Sequence, residues 1–358
     1  MKDIGQRTSD IGHNPDIGHN PDIGHNPDIG HVRAWLLAIR PKTLAAGVVP
    51  VFVGTALGST LVPIHWLAAC GCLIGALLIQ IGCNFANDAF DALKGADTAE
   101  RIGPQRAVAS GLITPRAMLI ATGIVLLLAL LVGLWLMTFG GWIILVLGVI
   151  SLVCAVAYTA GPFPLAYVGL GDAFVFLFFG LVAVLGSGWV QVAPALAKLM
   201  PYESLGGAGF VLTKYSQAEI GLHSWFDLPL TWWLIAAAIG LQATGIIAVN
   251  NLRDIATDVT VGKRTLAVRM GERMTRIYCC LLHVAATVCL VDVACRVGGG
   301  WLWLPAVVAG VGGLLVSVGV VRTSGAALNG YLARSAALEL ITGLCLTAGL
   351  IISARHAL

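Results

Sequence analysis

Charge is what this sequence has least of. Only 11% of its 358 residues are Asp, Glu, Lys or Arg, whereas a soluble globular chain carries about a quarter. Set against 58% hydrophobic residues, so little charge excludes an ordinary water-soluble domain. The net charge of +3 is too small to argue for nucleic acid as a partner. Nine cysteines are present, yet no two stand in CxxC spacing and most lie inside apolar runs. Neither a paired-cysteine zinc site nor a disulfide framework is expected, and the thiols read as small apolar packing groups. The N-terminal stretch has no apolar core of the kind a secretory signal needs, so it is not expected to be one.

The chain has instead a succession of apolar stretches near the roughly 20 residues that span a bilayer. They lie at 44–61, 66–85, 117–139, 141–160, 173–192, 230–249, 277–294, 301–321 and 335–353. The expected fold is an all-α multi-pass membrane protein of about nine transmembrane helices, occupying 32–358. Gly54 and Gly58, one turn apart, allow a close helix contact. Before it, residues 1–31 form a low-complexity stretch in which the unit Ile-Gly-His-Asn-Pro-Asp repeats from Ile11 and ends at Ile29-Gly30-His31. Pro, Gly and Asn at that period build no core, so a disordered tail is expected. Its histidines either bind transition metals weakly or belong to a neutral repeat expansion. With the N-terminus in the cytoplasm, the basic residues beyond the tail fall mostly inside. Only Lys198, Lys214, Arg296 and Arg355 remain outside, and the C-terminus is outside as well. This orientation fits a bacterial-type plasma membrane. The mixed segment 194–229 is expected to be a partly ordered external cap.

Two acidic stretches organise the rest. Asn84-Phe-Ala-Asn87-Asp88-Ala-Phe-Asp91 closes one apolar run, and on a helix Asn84, Asp88 and Asp91 share a face. Asn250-Asn251-Leu-Arg253-Asp254, with Asp258 one turn on, closes another. A glutamine lies upstream of each (Gln80, Gln242), and a Gly- and Arg-containing loop follows each. The pattern reads as an internal duplication that brings two acidic helix ends to one cavity. Carboxylates at the end of a membrane helix are costly unless a cation neutralises them. Hard oxygen donors of this type suit Mg²⁺, and two such clamps suit a diphosphate. The candidate metal ligands are Asp88, Asp91, Asp254 and Asp258. Asp97 is either a further ligand or a loop residue. Arg101, Arg106, Lys263 and Arg264 follow the acidic clusters and can hold phosphate oxygens. Lys42, in Arg40-Pro41-Lys42, is either an interfacial anchor or a phosphate contact. The loop from Tyr158 to Asp172 holds aromatics and turn residues but no Lys or Arg. It is either a rigid aromatic cover, with Tyr158 and Tyr167 as walls for a flat substrate, or a plain connector.

At these residues the chain resembles the UbiA superfamily of membrane-embedded prenyltransferases. Arg40-Pro-Lys-Thr43, Asn87-Asp-x-x-Asp91 with Gly95 and Asp97, Gly103-Pro-x-Arg106 through Ser110-Gly111, the Tyr158–Asp172 loop, and Asn250-Asn-x-Arg-Asp254-x-x-x-Asp258 with Gly262-Lys-x-Thr265 carry the resemblance, which runs from about Arg40 to the C-terminus. The Asn-Asn-x-Arg-Asp form and the Gly161-Pro-x-Pro164 loop are similar to the branch acting on 1,4-dihydroxy-2-naphthoate in menaquinone biosynthesis. The resemblance implies a nine-helix bundle open sideways to the bilayer and Mg²⁺ on both Asp motifs. It also implies a polyprenyl diphosphate donor bound by Asn84, Asp88, Asp91, Asp254 and Asp258 with help from Lys42, Arg106 and Lys263. Prenyl transfer to the naphthoate with loss of CO₂ is the implied reaction, with Arg253 or Lys42 as the cation that orients the acceptor's carboxylate. Other acceptors (4-hydroxybenzoate, homogentisate) are the alternative. A transporter is the rival class, disfavoured because the acids lie at helix ends and not at the midplane.

Overall fold

A computed structural model of the chain describes residues 30–96, 102–103, 105–197, 224–298 and 300–356. The repeat tail up to residue 29, Asp97, Arg101 and most of the external segment lie outside the described residues. Every regular element within them is helical. The helices are α1 (His31–Ile39), α2 (Pro41–Ser59), α3 (Trp66–Leu93), α4 (Pro115–Gly140) and α5 (Trp142–Ala157). Next, α6 (Gly171–Val175) runs through a π-helical stretch (Phe176–Leu185) into α7 (Gly186–Ala197). Then come α8 (Leu230–Thr260), α9 (Leu266–Val297), α10 (Trp303–Arg322) and α11 (Leu328–His356).

Seven helical stretches are long and apolar enough to cross a membrane, and the bent pair α1–α2 makes an eighth. The remaining expected segment is α5, which is apolar but has only 16 residues. The count therefore falls slightly below nine by length, although each expected apolar run is helical. His31, assigned to the tail by its repeat, instead opens α1. Several helices overrun their apolar runs. α3 has 28 residues and α8 has 31, about 42 and 46 Å at 1.5 Å per residue. Their acidic ends therefore reach past a hydrocarbon core of about 30 Å.

Local chemistry explains the helix ends. Thr114 caps α4 by accepting the Ala117 N–H, with Pro115 at the first helical position. Thr265 caps α9 in the same way through the Val268 N–H. Within α9, Gly271 at φ 77° breaks the helical path.

Packing between helices depends on small residues, as in other membrane bundles. A Cβ on Gly54 would sit 2.1 Å from the Val184 carbonyl oxygen, so α2 and the π-helical stretch meet backbone to backbone. The same stretch meets α8 where Gly180 and Gly240 face each other, a Cβ on Gly180 falling 2.7 Å from the Gly240 Cα. The main apolar core lies among α2, α7, α8, α9 and α11 and includes Leu57, Leu185, Leu196, Ile235, Ile239 and Leu346. Where the described residues resume after residue 223, Trp225 packs edge-on against Trp189 of α7.

Candidate active site

The two acidic helix ends meet at one end of the bundle, and Asp91 is the point where they join. Asp91 is 2% exposed. Its Oδ2 accepts from Arg106 Nη2 at 3.1 Å and from Lys263 Nζ at 3.4 Å, and its Oδ1 accepts from the Tyr167 hydroxyl at 2.9 Å. Four segments converge there: α3, the turn before α4, the loop before α6 and the loop after α8. Tyr167 also lies between two ammonium groups, with Lys94 and Lys263 each 4.8 Å from its ring centre. Lys94 continues to the Thr159 carbonyl at 2.6 Å, tying the aromatic loop to the end of α3. Partial desolvation lowers the Lys94 pKa, while Asp91 acts to raise it and Lys263 to lower it.

The other acids have different surroundings. Asp88 accepts the backbone N–H groups of Ala107 and Val108 at 3.1 and 3.3 Å. It thus holds the turn that carries Arg106 toward Asp91. Asn84 donates to the Ile39 carbonyl at 2.9 Å and to Thr43 Oγ1 at 3.2 Å, clasping the α1–α2 junction. Asp254 forms a two-pronged pair with Arg253, through Nε at 2.7 Å and Nη2 at 2.6 Å. Arg253 Nη2 also reaches Asn250 Oδ1 at 3.0 Å, and Nη1 reaches Asn329 Oδ1 at 2.6 Å, so this guanidinium links α8 to α11. Asp258 sits half-buried one turn beyond Asp254. Arg264, the counterpart of Arg106 in the duplication, is exposed, and its main-chain N–H bonds the Tyr167 carbonyl at 2.9 Å. The duplicated glutamines also diverge: Gln80 lines the cavity below the site, whereas Gln242 donates to Thr342 of α11.

Beneath this polar layer lies a cavity of about 920 Å³, its exposed lining mostly apolar. Arg40, Asn84, Asn87 and Asn250 stand at its polar end, and Val51, Cys72, Leu136 and Val190 line it further in. About 18 Å of helix separate Cys72 from Asn84 at 1.5 Å per residue. Tyr158 lines the cavity, its phenol set in a largely apolar wall. Tyr167, the other expected wall, faces the Asp91 cluster instead.

Sequence reasoning missed several residues of this layer. Lys94 was visible only as a loop charge. Thr159, inside the Tyr158–Asp172 loop but not singled out there, donates to Asn87 Oδ1 at 2.9 Å, and Asn329, which stands near no motif, holds Arg253. No local signal marks them, because their contacts join segments far apart in the chain.

Comparison with known proteins bears on this geometry. The UbiA prenyltransferase family model matches residues 47–330. A 1,4-dihydroxy-2-naphthoate octaprenyltransferase of Escherichia coli (strain K12) is 38% identical over 266 residues, covering 72% of this chain and 75% of that protein. The Mycobacterium tuberculosis protein of the same name is 36% identical over 260 residues, covering 72% and 77%. Among solved structures, an apo UbiA homolog from Aeropyrum pernix K1 superposes with a TM-score of 0.61 at 16% identity, covering 87% of this chain and 98% of that one. A UbiA homolog from Archaeoglobus fulgidus bound to GPP and Mg²⁺ gives 0.58 at 12% identity, covering 88% and 99%. At such identities these two establish the fold alone.

Proposed function

The chain belongs to the UbiA prenyltransferase family, and from that we propose that it transfers a polyprenyl group from polyprenyl diphosphate to 1,4-dihydroxy-2-naphthoate, releasing CO₂. One observation carries the reading: cations from two separate loops, Arg106 and Lys263, converge on Asp91, one turn along α3 from Asn87, which lines a large, mainly apolar cavity. An amphiphile with an anionic head and a long hydrocarbon tail fits that division. The relatives named above act, by their names, on 1,4-dihydroxy-2-naphthoate.

Mg²⁺ is the divalent ion this donor set fits. Among the described residues no three His, Cys, Asp or Glu side chains converge into a cage. An ion here would draw on one or two carboxylates and on the substrate's phosphate oxygens, the kind of site that suits Mg²⁺. Asp91 and Asp254 would hold it, with Asp88, Asp258, Asn87 and Asn250 close by. Once bound, it would supply positive charge that stabilises the leaving diphosphate.

The chain's own residues do the rest. In this structure Arg106 and Lys263 pair with Asp91, and Arg253 pairs with Asp254. A diphosphate entering the layer offers Arg106 and Lys263 new oxygens, and charge-assisted contacts there stabilise the charge that grows as the allylic C–O bond breaks. That bond's electron pair leaves with the diphosphate. The electron-rich ring carbon of the acceptor attacks the allylic carbon and forms the C–C bond. The bond from the same ring carbon to the carboxylate then breaks, its pair restores the aromatic ring, and CO₂ departs. The apolar wall excludes water that would capture the allylic cation.

The test labels the acceptor carboxylate with ¹³C and follows gas and product by mass spectrometry. Labelled CO₂ with an unlabelled prenylated product is expected. A product that keeps the label, or turnover of 4-hydroxybenzoate with none of the naphthoate, refutes the assignment.

A further inference from the structure

We propose that the groove between α9 and α10 binds one anionic phospholipid, with an acyl chain along the groove and the phosphate at Arg322. The groove has a volume of about 640 Å³. Val284 and Val288 of α9 form one wall, and Leu314 and Val318 of α10 form the other; all four are exposed on the outer surface of the bundle. No residue of this lining belongs to the reaction cavity. The inference therefore stands apart from the prenyl-transfer reading.

Glycines and one histidine shape the groove. Gly310 and Gly313 present bare backbone on α10, and side chains of α9 come against it. A Cβ on Gly310 would lie 3.3 Å from Thr287 Cγ2, and one on Gly313 would lie 3.0 Å from His283 Cβ. His283 lines the groove yet is only 4% exposed, and its Nε2 has no hydrogen-bond partner. Its ring extends to α8, with Cε1 3.4 Å from where a Cβ on Gly245 would be. The imidazole is thus a spacer among three helices. The Thr287 hydroxyl turns back to the His283 carbonyl at 2.8 Å. Walls of this kind offer a hydrocarbon chain many dispersion contacts.

A charged end distinguishes this groove from a plain furrow in a lipid-facing surface. Arg322, the last residue of α10, lines that end and is exposed, and no acidic side chain among the described residues pairs with it. Arg273 lies two turns before Cys280 on α9 and so shares the face that borders the groove. It too is exposed and pairs with no described acid. Arg276, between them, is engaged: it donates through Nη1 to the Val320 carbonyl and through Nη2 to Glu272 Oε1 at 2.6 Å, pinning α9 to α10 at this end. From Gly310 to Arg322 the helix covers about 18 Å at 1.5 Å per residue, close to half of a hydrocarbon core of about 30 Å. The groove therefore spans one leaflet. That leaflet lies at the end of the bundle that carries the Asp motifs, where Asn329 holds Arg253. A chain lying in the groove brings its phosphate level with the guanidinium, which takes two phosphate oxygens in parallel bonds. Basic pockets between membrane helices collect anionic head groups in this way. A zwitterionic lipid brings an ammonium to the same cations and gains less.

The experiment uses the full-length protein, delipidated in neutral detergent, and reads the Kd of the first lipid bound by native mass spectrometry. Dioleoylphosphatidylglycerol is expected to bind about tenfold more tightly than dioleoylphosphatidylcholine. Arg322→Gln should weaken the glycerol lipid about fivefold, the scale of one basic residue at a membrane surface, and change the choline lipid by less than about twofold. Ser317, half-buried in the groove, is the place to fill it: Ser317→Leu keeps every charge and should weaken both lipids by about tenfold through steric exclusion. Both variants should unfold in lipid-free detergent within about 2 °C of wild type. Should Ser317→Leu fail to fold, Val284→Trp fills the groove from its exposed wall and is expected to give the same loss. Equal affinity of the wild type for the two lipids, or unchanged binding in Arg322→Gln or in the filled variant, overturns the proposal. Displacement of the glycerol lipid by an equimolar amount of inorganic phosphate or of farnesyl diphosphate overturns it too, the first showing an anion site without a chain and the second a station for an isoprenoid diphosphate. None of these measurements depends on turnover, so they succeed or fail separately from the proposed reaction.

Discussion

Replacing Asp91 by Asn changes one oxygen to an NH₂ and removes the negative charge on which four segments close. At an effective dielectric of 20, each ion pair in this geometry is worth about 5 kcal/mol of raw attraction, the separations being 3.1 Å to Arg106 and 3.4 Å to Lys263. Desolvation offsets most of that in the intact protein. The variant, however, leaves Arg106 with a side chain only 8% exposed and its Asp91 ion pair lost. Breaking a buried pair from one side costs about 3–5 kcal/mol. At roughly 2–4 °C per kcal/mol for a large domain, the unfolding midpoint of Asp91→Asn in detergent should fall by roughly 6–20 °C. Turnover should drop by about 10³-fold, the scale of losing one preorganised electrostatic contact to the leaving group. The double variant Asp91→Asn with Arg106→Gln separates the two effects. Removing the stranded guanidinium should recover several degrees of stability and none of the activity. A midpoint within about 2 °C of wild type for Asp91→Asn, together with more than a tenth of the turnover, would mean that Asp91 neither ties the segments nor serves the reaction.

Other outcomes follow from the same geometry. Asp254→Asn should lose turnover as severely, and the unfolding curve should show that α8 and α11 are still held through Arg253 and Asn329. Asp88→Asn should retain more activity than Asp91→Asn, because Asp88 holds a turn through two main-chain amides; equal losses in a kinetic comparison would contradict this. Chelation with EDTA should abolish product formation in a radiolabelled-donor assay, and added Mg²⁺ should restore it. Gly240→Val should lower thermal stability by several degrees without altering KM for either substrate, since its side chain would meet Gly180 across a backbone contact.

The bundle was legible because hydrocarbon imposes a simple rule: the backbone must satisfy itself, and helices do so. Apolar runs therefore located the helices, although not their ends. Composition loses the helix when it turns polar, and the last turns of α3 and α8 are polar because they carry the acids. Asp91, Arg106 and Lys263 were legible as a group because the duplicated pattern flagged them. Their partition was not. Nothing in Asn-Asp-x-x-Asp says that one aspartate accepts two main-chain amides while the other gathers cations, since this depends on how the following loop folds back. The left-handed turn at Arg40 was hidden as well, because Arg40-Pro41-Lys42 reads simply as a helix start. Arg253 illustrates the same limit: its type fitted carboxylate binding, and the carboxylate it meets in the fold is the neighbouring Asp254.

The short helix α5 has a consequence for the membrane itself. Its 16 residues give about 24 Å of apolar length, some 6 Å less than a typical hydrocarbon core. One face, with Trp142, Val146, Ile150 and Val153, is exposed to lipid, and the other, with Ile144, Gly148 and Ser151, borders the cavity. At this point a single helix stands between its exposed face and the reaction chamber. Lipid has to dimple beside it to avoid hydrophobic mismatch. Acyl-chain length thereby becomes an input to the enzyme: thick, saturated bilayers press on this partition and thin ones relieve it, at the place where a long isoprenoid tail shares the boundary with the surrounding lipid.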